Sequence, residues 1–315
     1  MTGACAVLAG ALLVLAPGWA AAQPAETADV PRTPWGQPDL GGVWVNGTTT
    51  PLERPESFGD REFLREGEAE ELPRQLFTDR LGPLTAQERA LAVEGGPALA
   101  GDGPLSRRTS LVTGSTGRIP PLTPAARERL ADGLNQFITE RADSHQDRGY
   151  SERCLRFVSG GPPMMAFGAA NVHHIFQTPD RVAFLHEEGH VVRIIHLDAR
   201  PRIDPRIRLW SGDSRGRWEG DTLVVETTNF NGVDGFRGSG PGLHLTERLT
   251  RVDDETILYG FTVEDVETWT EPWSVEMPLL ASAGQLYEHA CHEGNYSLVN
   301  ILRGARVQER EAEAR

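Results

Sequence analysis

The run Glu187-Glu188-Gly189-His190, followed by Arg193, sets a carboxylate and an imidazole three residues apart across a tight turn. General acid–base chemistry needs such groups within reach of one proton and titrating near the working pH. Glu187 and His190 are therefore the candidate proton-transfer pair and Arg193 the candidate anion stabiliser. His244 and Glu247 are further catalytic candidates. The competing reading is an ordinary polar turn. A second cluster, His289, His292 and Glu293, has metal-ligand types. His-x-x-His converges only if the segment is helical, because i and i+3 face opposite ways on a strand. Zinc also wants a third or fourth ligand with support behind it. His173 or His174 could supply one, but no spacing requires it, so no metal is expected. Trp218-Glu219-Gly220-Asp221 reads as a tight turn between strands, with a catalytic carboxylate at Glu219 or Asp221 as the alternative. Gly212-Asp-Ser-Arg-Gly216 matches the nucleophile-elbow string, but turn and strand follow it instead of a helix.

Composition removes whole classes of function. The chain has 315 residues and a formal net charge of −14. No basic stripe is visible, so nucleic-acid binding is not expected. All 31 basic residues are arginine. Without lysine there is no Schiff base, no covalent pyridoxal phosphate and no P-loop. No Gly-x-Gly-x-x-Gly follows a strand, so a Rossmann site is not expected either. The reading is of a protein without a cofactor.

The elements that must position these residues are strands. Period-two patterning predicts strands at Asn171–Gln177, Arg181–Glu187, His190–Leu197, Thr222–Asn229, His244–Val252, Thr256–Asp265, Trp269–Leu279 and Leu286–Cys291. Short strands with turns and no helices between them argue for a mainly β fold. The expected form is an antiparallel up-and-down barrel of the calycin-like kind, wide enough for one small ligand. Apolar faces carry Leu245, Leu249, Ile257, Tyr259, Phe261 and Val263, yet also Glu247, Arg251, Asp265 and Glu271. Such charges sit at strand ends, or they line a polar pocket, since unpaired burial is costly. Trp218, Tyr259, Trp269, Glu271 and Trp273 are the candidate ligand-binding residues.

The chain divides around this body. Residues 1–22 read as a signal peptide ending in Ala20-Ala21-Ala22, with a retained anchor as the alternative. Residues 23–122 read as an irregular extension packing on the barrel, with one short strand near Asp39–Val45, a short helix within Thr78–Val93 and a loop over Gly95–Gly103. Residues 123–150 hold a helix, from a Thr123 N-cap to about Arg141, and a linker. The barrel occupies 151–300, and 301–315 is a polar tail. Signal cleavage removes Cys5 and leaves Cys154 and Cys291, which predicts one disulfide in an oxidising compartment; two buried thiols are the alternative.

Several segments carry a resemblance. These are Arg32-Thr-Pro-Trp-Gly-Gln-Pro-Asp-Leu-Gly-Gly-Val-Trp44, Gly212-Asp-Ser-Arg-Gly-Arg-Trp-Glu-Gly-Asp-Thr-Leu-Val-Val225, Thr246-Glu-Arg248, Pro272-Trp273 and Tyr287-Glu-His-Ala-Cys-His-Glu-Gly-Asn-Tyr296. Together they resemble a large group of exported bacterial proteins of unassigned activity, over nearly all of the mature chain. The resemblance implies export and an all-β, barrel-like body, and brings no reaction. The expected function is an exported, periplasmic or secreted small-molecule-processing protein. It is read as a cofactor-independent acid–base lyase, isomerase or hydrolase with its site in the barrel. The alternative is a non-catalytic barrel binding a hydrophobic, aromatic or sugar ligand. No membrane span is expected after signal cleavage, and the sequence leaves the oligomeric state open.

Overall fold

The computed structural model describes residues 30–46, 48, 50–65, 68, 107–130, 142–156, 161–165, 171–233 and 235–314, without the side chain of His190. The expected signal peptide, the helix within Thr78–Val93, the Gly95–Gly103 loop and the later part of the 123–141 helix lie outside the described residues.

Alternating apolar residues close one sheet on itself. Nine strands run in sequence order around the barrel. They are β1 Gly42–Val45, β2 Val172–Gln177, β3 Arg181–His186, β4 Val192–His196, β5 Asp213–Glu219, β6 Thr222–Thr228, β7 His244–Arg251, β8 Thr256–Glu264 and β9 Trp273–Ala281. β1 closes the ring, pairing with β2 on one side and β9 on the other. The mainly β barrel expected from the period-two pattern is present. Its interior is filled by one face of each strand, as on β8, where Ile257, Tyr259, Phe261 and Val263 are fully buried.

Three details depart from expectation. The first is orientation: every neighbouring pair is antiparallel except β4 and β5, which run parallel and meet at one pair, His196 with Arg215. Parallel neighbours need a long return crossing. The non-helical connection between β4 and β5 provides it, and the Asn229 amide holds that connection by donating to the carbonyls of Asp204 and Ile207, both at 3.1 Å. The second is the last expected strand, Leu286–Cys291, which is irregular. The third is the start of β9. It begins at Trp273 instead of Trp269, because Pro272 has no N–H to give a ladder. The segment Gly212–Val225 forms the β5–β6 hairpin, and its turn places Gly220 at φ 60°, which glycine adopts without strain.

The chain outside the barrel is tied to its ends. Thr123 caps its helix as expected: its Oγ1 accepts from Ala126 N at 3.1 Å and donates to the Glu267 carbonyl at 2.7 Å. That second bond docks the helix start on the β8–β9 connection. Residues read as a polar tail fall in a helix, Tyr296–Glu313, whose N-cap Asn295 accepts from Leu298 N. Asn295 also donates to the Glu152 carbonyl at 2.6 Å. Cys154 and Cys291 are disulfide-bonded beside it. Among the described residues no helix is long and apolar enough to cross a membrane.

The disulfide spans a sequence separation of 137, enclosing β2 to β9. In the chain-entropy account, closing so long a loop stabilises by about 5 kcal/mol. The Cys154→Ser/Cys291→Ser protein is expected to unfold at correspondingly lower urea concentration. Non-reducing peptide mapping should recover the Cys154–Cys291 pair, and two alkylatable thiols in native protein would overturn the assignment.

Candidate functional site at the polar end of the barrel

The site is built from strand alternation. β4 turns Arg193 inward, β7 turns Glu247 inward and β8 turns Tyr259 inward. β4 and β7 are separated by β5 and β6 around the wall, so Arg193 and Glu247 meet across the lumen. Their contact is bidentate: Arg193 donates to both carboxylate oxygens, at 2.5 and 3.0 Å. Both residues are buried, Glu247 at 0% and Arg193 at 4% exposure. The Tyr259 hydroxyl donates to Glu247 at 2.7 Å and accepts from Met164 N at 3.0 Å. Phe184 offers its ring face to the guanidinium, 5.0 Å from centroid to carbon. Met164 belongs to the buried segment 161–165, which this bond holds against the interior.

Two histidines sit beside this pair. His173 on β2 lies directly across from His186 on β3. Both rings are buried, and their Nδ1 atoms are 2.6 Å apart. Burial and then the Arg193 charge lower the His173 pKa to about 3. Burial, with smaller contributions from His173 and Arg193, holds His186 well below its ordinary value. Both rings are therefore neutral at neutral pH. One Nδ1–H then donates to the other Nδ1, and the tautomers are opposite. One ring is left with a lone pair on Nε2, the other with an Nε2–H. Among the described residues neither Nε2 has a partner. Asn46 continues β1 on the face of Trp44, and Trp44 lies opposite His173. Asn46 is fully buried with both amide atoms unpartnered. For Tyr259, burial and then Glu247 hold the hydroxyl protonated, well above the ordinary phenol value.

An aromatic group borders the same core. Trp269 and Trp273 meet edge to face at 5.5 Å, and Trp273 stands 6.2 Å from Phe261. Phe261 lies 5.8 Å from Tyr259. A chain of contacts thus leads from these indoles through Phe261 to Tyr259, which bonds the carboxylate paired with Arg193.

Other candidates are placed elsewhere. Glu187 accepts from the backbone N–H of Tyr287 at 2.9 Å, which ties it to the C-terminal segment and away from Arg193. The side chain of His190 lies outside the described residues. His244 stands 3.1 Å from Glu264 on the half-exposed outer side of the β7–β8 pair, so it does not face the lumen. Glu271 is exposed just before β9, which removes it from the wall. Trp218 is partly buried against the core. It is near the β5–β6 turn, at the far end of those strands from Asp213. Arg251 donates to the carbonyls of Asp39, Asp253 and Asp254. Asp265 organises the β8–β9 connection by accepting from Gly240 N and the Thr268 hydroxyl. The weak metal cluster separates: His289 Nδ1 accepts from Gly189 N at 3.2 Å, while His292 and Glu293 are exposed. Among the described residues no three metal-ligating side chains converge. Glu219 and Asp221 serve surface ion pairs, Glu219 with Arg217 and Arg248. Asp221 pairs bidentately with Arg32 at 2.7 and 3.0 Å. That contact joins two of the distinctive sequence segments.

Asn46, His173 and His186 were not read from sequence as one site. The available signal was alternation: His186 follows Val182 and Phe184 on the inward face of β3. Compared with known proteins, the chain matches no family model, and no curated protein or solved structure is significantly similar to it.

Two predictions follow from this chemistry. Arg193→Met leaves the Glu247 carboxylate buried without its counter-charge and is expected to cost about 3–5 kcal/mol. The Arg193→Met/Glu247→Leu double variant should cost less than that single change in urea unfolding. A double variant as damaged as the sum of both singles would contradict a coupled pair. The second prediction concerns acid. Histidines in the unfolded chain take up protons below about pH 6.5, whereas His173 resists protonation down to about 3. The unfolded state thus binds more protons, so stability is lost as pH falls from about 6.5 toward 3. Between pH 6.5 and 5, where most carboxylates stay ionised, His186→Gln should flatten the slope. An unchanged slope would show that the pair titrates normally.

Proposed function

We propose that this protein is an exported small-molecule-binding barrel whose recognition site is the polar end of the lumen. The observation that carries the reading is the set of buried, unpartnered hydrogen-bonding atoms on Asn46, His173 and His186. Leaving such groups unpaired costs about 1–3 kcal/mol each, so a ligand that satisfies them gains affinity from groups already in place. The surrounding wall is aromatic and apolar, which suits a small organic molecule. Export is supported by the disulfide, a bond of oxidising compartments. It is supported as well by the resemblance of the distinctive segments to exported bacterial proteins.

Acid–base turnover is the second reading, and one observation favours it. The imidazole pair holds a lone pair and an N–H in one site, as a proton relay requires. Against it, the buried imidazoles are weak bases, and Glu247 is committed to Arg193 and Tyr259. Binding is the better-supported function.

The test is a thermal-shift screen with neutral heterocycles, aromatic acids and sugars. A ligand at a hundredfold excess over its Kd stabilises by about 2.7 kcal/mol. At least one compound should raise the melting temperature of the native protein and lose that effect in His173→Phe. A screen in which every hit acts equally on both proteins would place binding outside the lumen. Conversion of the hit by the native protein, read by mass spectrometry, would favour turnover over binding.

A further inference from the structure

We infer that the group recognised at this end of the barrel is a neutral cyclic amide, presenting an N–H and a C=O side by side. The inference rests on the binding function proposed above and specifies its ligand.

Charge comes first. The buried charges Arg193 and Glu247 face each other, and both terminal nitrogens of Arg193 are spent on Glu247. His173, His186 and Tyr259 are neutral. A charged ligand would add an uncompensated charge to a dry, balanced site, which is unfavourable. A cation would also meet the positive charge of Arg193, which adds to burial in disfavouring protonation of the two imidazoles. At Arg193 an anion would find only Nε unpartnered, with the Glu247 carboxylate beside it.

Hydrogen-bond inventory narrows the class further. The imidazole pair presents one acceptor and one donor, because its shared Nδ1 proton forces opposite tautomers. The Asn46 amide presents one acceptor oxygen and one donor nitrogen. A ketone or ether carries acceptors only and leaves the lone-pair Nε2 and Asn46 Oδ1 unpaired. An amide edge carries both polarities on adjacent atoms of one rigid plane, so it can satisfy a donor–acceptor pair at once.

Shape gives the ring. Trp44 shares a face with Asn46, spends its own N–H on the Leu40 carbonyl at 2.9 Å and holds the Arg251 guanidinium 5.3 Å from its ring centroid, so the rest of its ring is apolar surface. Phe184 lies parallel to His186, 9° between planes. Beside such walls a closed ring keeps the amide edge polar and the rest apolar. A lactam, pyridone or cyclic imide meets all three conditions.

The experiment uses the native, disulfide-bonded protein labelled with nitrogen-15. Imidazole nitrogen resonances report the tautomers of His173 and His186 directly. The probes are 2-piperidone and 2-pyridone, with N-methyl-2-piperidone, cyclohexanol and glucose as comparisons. The cyclic amides should move the Nε2 resonances of both histidines. The N-methyl compound keeps the carbonyl and loses the N–H, and it should bind roughly tenfold to hundredfold more weakly. Equal binding of the lactam and its N-methyl form overturns the inference. Movement of these resonances by cyclohexanol or glucose but by neither cyclic amide overturns it too, while small-molecule binding stands. If neither these probes nor any hit of the thermal screen moves them, both fall. Because the comparison is between ligands on one unmodified protein, it does not depend on a variant that folds.

Discussion

One ion pair crosses the middle of this molecule. Arg193 and Glu247 reach each other from strands that are not neighbours, and each would be intolerable inside the barrel without the other. The consequences radiate from that contact. It neutralises the lumen, fixes the Tyr259 hydroxyl as a donor, and through Tyr259 seats the backbone of Met164. It also supplies the positive field that, after burial itself, keeps His173 and His186 uncharged. Hydrophobic packing would fill a barrel of this size without such a pair. A transverse bond of fixed length and direction adds something packing does not. It sets which side chains stand opposite one another across the lumen.

The same arrangement explains how two imidazoles pack against each other inside the barrel. Each takes its Nδ1 partner from the other, and burial, then neighbouring positive charge, disfavours protonation. The result is a site with hydrogen-bonding polarity but no net charge. If it binds a ligand as proposed, such a site would discriminate by pattern: what would matter is where a ligand keeps its donors and acceptors. Acid–base catalysts usually keep a group poised to titrate near neutral pH. Burial holds His173 and His186 below that range and Tyr259 above it.

Much of the architecture was legible from period two, because burial of one face repeats along every long strand. Glu247 was legible for the same reason: a carboxylate among Leu245 and Leu249 must have a partner. Arg193 was singled out as well, but with Glu187 and His190, its neighbours in sequence. Its actual partner lies 54 residues away, and nothing local encodes that distance. Glu271 was misplaced by counting two-residue steps back from Trp273 through Pro272, where the strand has already ended. The parallel β4–β5 seam was beyond local patterning, whereas the four-residue β1 falls within the short strand expected near Asp39–Val45. A strand that short owes its existence to the two edges it joins. His173 and His186 become a pair only through the β2–β3 register, a property of two strands together.

The disulfide has a topological side. Eight of the nine strands lie within the covalent loop that it closes, and β1 alone lies outside. Removing β1 would leave the free edges of β2 and β9 facing each other across a slot, the kind of edge that recruits strands. The closing stave of this barrel is thus a separable piece: four residues reached from the far side of the crosslink, held by backbone ladders and by Trp44. A chain built this way can finish its barrel with its own β1 or with that of a neighbour, and the covalent loop is indifferent to which. Strand exchange between two molecules would require breaking no crosslink. Asn46 would travel with the exchanged strand, so in such a pair each molecule would complete the other's polar end.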